Sequence, residues 1–145
     1  MKKFLQKKLN QKGLTLVELL AVIVILGIIA AIAVPAIGNI ITNTKYNAAK
    51  ADAINTLNAA NMYFTEDNTA TAASEVTVVQ LKDNGYLDSY GTLTKETKVV
   101  NSSPRKINGA ASYGDGKSVK LDNTLEEIND DNQKGSTTPE TIKVP

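Results

Sequence analysis

The strongest constraint on this chain is an apolar run from Leu14 to Val34, 21 residues in which Glu18 carries the only charge. A helix that is apolar on every side has no polar face to show to water, so it belongs in a membrane or inside an assembly. At about 1.5 Å per residue the run spans roughly 31 Å, enough to cross the hydrocarbon core of a bilayer. Ahead of it, Met1 to Gly13 holds Lys2, Lys3, Lys7, Lys8 and Lys12 and no acid. By the positive-inside rule that flank stays in the cytoplasm and everything past Pro35 lies on the other side.

Glu18 needs its own account. A carboxylate inside a membrane segment costs about 2.5–3.5 kcal/mol on insertion scales. No basic residue stands near it in the same helix. Two readings fit these residues. Glu18 lies at headgroup level and snorkels into water, or its counter-charge comes from a lipid headgroup, another chain, or a new amino terminus made by a cut near Gly13.

The stretch Lys12-Gly13-Leu14-Thr15-Leu16-Val17-Glu18 resembles the class III signal of type IV pilins and pseudopilins. That signal is a short basic leader ending in glycine, followed by a processed chain whose fifth residue is glutamate. The resemblance implies that a prepilin peptidase cuts between Gly13 and Leu14 and methylates the new terminus at Leu14. It makes Glu18 the conspicuous acid of assembly, and it places Gly27 and Pro35 where the family loosens its helix. Leu14 stands where the family usually has phenylalanine. The likeness covers Lys12 to about Tyr63 and says little of Thr65 to Pro145. An ordinary secretory signal competes for the same residues, with Ala30-Ala31-Ile32-Ala33 as its small-residue site. Against it, the run is too long for such a core and Glu18 is left unexplained.

Past Pro35 the pattern turns amphipathic. Ala49, Ala53, Leu57, Ala60 and Phe64 recur at steps of three and four, with Ile54 alongside, and no glycine or proline falls between Asn39 and Asn68. Glu66 to Ser74 reads as a loop. Thr77 to Gly85 reads as a short helix capped by Thr77, with a strand at Val76 to Leu81 as the alternative. Tyr86 and Leu87 are expected to pack back on the long helix. Thr97–Asn101, Arg105–Ser112 and Lys117–Asp122 read as three strands, the last two joined by a hairpin turn at Gly114-Asp115-Gly116.

The chain therefore divides into a basic leader 1–13, a transmembrane or filament-core helix 14–34 and an amphipathic helix 35–65. A loop, short helix and small antiparallel sheet follow over 66–122, and 123–145 is expected to be a loose polar tail. The fold class is α+β, a long N-terminal helix packed on a small antiparallel sheet, in line with the pilin resemblance.

Cysteine, histidine and tryptophan are all missing from the 145 residues. That removes a disulfide framework, the commonest general base and metal ligand, and the usual nucleophilic triads, so no enzyme, cofactor or metal is expected. Without the leader the chain holds eleven basic and fifteen acidic residues, a net −4 that disfavours a strong nucleic-acid binder. Glu126, Glu127, Asp130 and Asp131 lack calcium-loop spacing and read as solvated surface.

The expected function is a structural subunit of a type IV pilus-like filament. Its implied partners are copies of itself or other pilins, the prepilin peptidase, the pilus assembly platform, and membrane lipid before assembly. DNA enters only in an uptake pseudopilus. The expected location is a single-pass cell membrane protein with a cytoplasmic N-terminus, then a surface filament. The alternative is a membrane-tethered extracellular binding module that never assembles.

Overall fold

The computed structural model describes the backbone of residues 2–143 and the side chains of residues 15–143. The expected processing pair, Gly13 and Leu14, falls where only backbone is described. The chain divides into two compact units, Met1–Gly38 and Asn39–Pro145.

The first unit is helix alone. It belongs to α1, Lys2–Glu66, which carries Pro35 in its interior. Large apolar side chains from Leu16 to Ile37 ring the helix and expose at least half of their surface each.

The second unit is α+β. The Asn39–Glu66 part of α1 buries Tyr46, Ala49, Ala53, Leu57, Ala60 and Phe64, a stripe at helical spacing that packs on the sheet and its neighbours. Alanine at three of these positions lets the layers approach closely. The helix stops where Asp67 turns its carboxylate onto the backbone N–H of Thr69 (3.0 Å) and the Thr69 hydroxyl (2.6 Å), an Asx turn that competes with further helix.

Four strands form one antiparallel sheet in sequence order: β1 Glu75–Thr77, β2 Lys98–Val100, β3 Lys106–Gly114 and β4 Lys117–Thr124. Period-2 alternation turns Val76, Val99, Ile107, Ala111, Val119 and Leu121 inward, all of them buried. The β3–β4 hairpin closes through Asp115 (φ 50°) and Gly116 (φ 74°), the two positive φ values of a tight turn that matches strand twist. Gly109 is required by space: a Cβ there would stand 2.7 Å from the Thr97 Cα.

Two expectations change. The sheet has four strands, not three, because Glu75–Thr77 pairs with β2 through Val76↔Val99. The helix expected after it is nonetheless present as α2, Val78–Asp83, with Thr77 and Gln80 forming a reciprocal capping box. One short segment thus serves first as strand and then as cap.

The larger correction concerns the expected loose tail. Thr124 ends β4 and caps α3, Leu125–Asp130, and a single 3-10 turn follows at Gly135–Thr137. Ile128, Asp131, Gly135, Pro139 and Ile142 are buried. The segment pairs with the free edge of β4, where the Lys120 N–H donates to the Glu140 carbonyl (2.8 Å). Gly135 lies so close to α1 that a Cβ would meet the Thr42 carbonyl oxygen at 2.5 Å. A polar segment is ordered here by backbone pairing and a few apolar plugs, which composition alone does not register.

Candidate processing and assembly site

Glu18 lies on α1 among Val17, Leu19, Leu20 and Val22, and all five side chains are exposed. Its neighbours one turn on, Ala21 and Val22, offer no hydrogen-bond donor. Among the described residues it forms no ion pair. Gly27 has open space around it. Pro35 has no N–H to give, which leaves the Ala31 carbonyl without its usual helical partner, yet α1 continues through both positions.

These positions do not converge. Glu18 and Gly27 are about 13 Å apart along the axis, and Pro35 is about 12 Å further. About two and a half turns separate Glu18 from Gly27, which puts them on opposite sides of the helix, so the three positions form no common centre of the kind substrate chemistry needs. Length and composition let the apolar part of α1 cross a membrane. Among the described residues, no group of three acids is placed to hold a metal ion.

The acids read as solvated surface divide once their partners are known. Glu126 and Asp130 are exposed. Glu127 accepts the Thr124 N–H (2.8 Å), and this backbone hydrogen bond holds its carboxyl below the usual range. Asp131 is buried. It accepts the Tyr46 hydroxyl (2.7 Å) and the Gln133 amide (2.8 Å) and pairs with the Lys50 ammonium (3.3 Å). Burial alone would raise the Asp131 carboxyl, but these donors outweigh it and hold it low; burial followed by the bond to Asp131 pushes the Tyr46 phenol up. A signal for α3 was present in the sequence, since Thr124-x-x-Glu127 is a capping box. Nothing local announces the Tyr46–Asp131 pairing.

Residues 8–34 match a family model described as the prokaryotic N-terminal methylation motif. The chain carries a prepilin-type signal. This is the class III signal characteristic of type IV pilins and pseudopilins, and the stretch Lys12–Glu18 that resembles it lies within the matched residues. It supports a pilin- or pseudopilin-type precursor, implies processing by a prepilin peptidase and assembly with pilins, and points to a structural subunit. The apolar helix that carries the signal fits a membrane-anchored pilin. No curated protein and no solved structure matched the chain.

Proposed function

We propose that this chain is a structural subunit, pilin or pseudopilin, of a type IV pilus-like filament. Cleavage between Gly13 and Leu14 leaves the whole apolar helix on the mature chain, with Leu14 as its methylated terminus. Before assembly the subunit waits in the membrane with its C-terminal unit outside. On assembly the apolar helix leaves lipid for a bundle of its own kind, and the Gly27–Pro35 stretch, already short of one backbone hydrogen bond, is where it loosens.

The observation that carries this reading is Glu18, the one charged residue in the apolar run Leu14–Val34, exposed on its helix beside Val17, Leu19, Ala21 and Val22. In a bundle it pairs with the amine of Leu14 on a neighbouring copy, which offsets two burial costs at once. Only one stagger brings the two charges together, so the pair also sets axial register. Apolar helices without it slide past one another.

Glu18→Ala, expressed as the sole copy, tests this. A filament subunit is still cut and anchored, but its yield in the sheared surface fraction falls at least tenfold. A lone tethered module inserts as well or better, since a charge has left the bilayer. Normal amounts of the variant in the sheared fraction would show that assembly needs no Glu18 pair, and a wild-type chain missing from that fraction would reject the filament reading in favour of the module.

A further inference from the structure

Arg105 is the single arginine in a chain with fifteen lysines. Its Nε donates to Asn101 Oδ1 (2.8 Å) and its Nη1 to Asn61 Oδ1 (2.7 Å), while the guanidinium carbon lies 5.6 Å from the centre of the Phe64 ring. The group is thus fixed on one face and at two nitrogens before any ligand arrives. Both acceptors are neutral amides, so the charge is held but not matched. No carboxylate among the described residues pairs with Arg105, and Nη2 has no acceptor among them. Bracing the Asn101–Arg105 loop against α1 needs donors, not a permanent cation. A guanidinium also presents a planar fork that fits a carboxylate through two parallel bonds.

Beside this fork lies a cavity of about 370 Å³ lined by Leu57, Leu125, Ser102, Ser103 and Glu126. That size lies within the range of small-ligand sites. Glu126 accepts hydrogen bonds and repels a second anion. The ligand that suits these walls has one carboxylate, several hydroxyl donors and an apolar ring face. We propose that Arg105 and this cavity bind a carboxylate-bearing sugar, a single uronic acid unit. The carboxylate takes the open edge of the guanidinium, the ring hydroxyls meet Glu126 and the serines, and the ring lies against Leu125. This site goes beyond the filament reading and does not depend on it.

The test is saturation-transfer NMR on the full chain in detergent micelles, with glucuronate as probe and glucose and acetate as controls. Glucuronate is expected to receive saturation and to bind at least tenfold more tightly than either control. Arg105→Lys keeps the charge but loses the fork, and is expected to weaken glucuronate at least tenfold. Leu125→Trp fills the cavity, leaves both asparagine braces in place, and is expected to abolish binding; it decides the matter should Arg105→Lys lower the melting temperature. Equal binding by glucose, glucuronate binding unchanged in Leu125→Trp, or no glucuronate binding at all would overturn the proposal. Acetate binding as tightly as glucuronate would also overturn it, in favour of a protein carboxylate as occupant.

Discussion

At the scale of single residues, Asp131 shows how a polar chain without cysteine fastens its C-terminal segment. Its carboxylate collects a phenol, an amide and an ammonium in a buried site. Because folding lowers its pKa, the stabilisation it gives is fully present above the unfolded value of about 3.9 and is lost as pH falls through the lower folded value. Melting of the wild type is therefore expected to drop steeply below about pH 4. Asp131→Asn is expected to cost about 1–3 kcal/mol at neutral pH and to flatten that acid limb, read by calorimetry across pH. The Tyr46 phenol is shifted the other way, so its contribution holds below about pH 10 and is lost as pH rises through the raised folded value. Tyr46→Phe is expected to flatten the alkaline limb. None of this was legible in the sequence, where Asp131 is one acid among four neighbours and its tyrosine stands 85 positions away. Pairings at that separation follow from the fold and leave no local pattern.

At the scale of elements, legibility followed the length and regularity of the signal. The stripe from Ala49 to Phe64 is long and periodic, and the buried face came out as read. Thr77 announced α2 through its cap, and Gly114-Asp115-Gly116 announced the hairpin through its turn chemistry. Strand β1 entered only as the alternative at Val76 to Leu81, because the helix cap at Thr77 and the β-branched residues beside it compete for the same few positions. After Thr124 the capping box with Glu127 was a readable signal for α3, but the chain beyond Asp131 escaped because its order comes from a main-chain bridge to β4 and long-range partners, which leave no local pattern. Removing the chain after Thr124 would unpair that edge and open the seats of Ile128 and Ile142. Melting of such a chain is expected to lose its cooperativity, whereas a loose tail would leave the transition unchanged. Gly109→Val tests the strand layer separately. Its side chain would press on the Thr97 backbone, so a loss of about 1–3 kcal/mol is expected in denaturant titration.

At the scale of the whole molecule, two units differ in what they bury: a helix that leaves its apolar side chains exposed, and an α+β unit that buries its own core. A chain beginning at Asn39 is expected to be soluble and to unfold cooperatively, because it keeps Thr42, Asn43 and Tyr46, against which the C-terminal segment rests. One beginning at Ala48 loses those seats and is expected to melt at a distinctly lower temperature. The central claim concerns the other unit: that the chain is cut after its basic leader and built into a filament by the helix it retains. Mass spectrometry of sheared surface filaments tests that claim most directly. The account predicts that the chain is present in the filaments and begins at Leu14 with one added methyl group on its amine. A mature terminus near Ala33, or a chain confined to the membrane and missing from the sheared fraction, would contradict it.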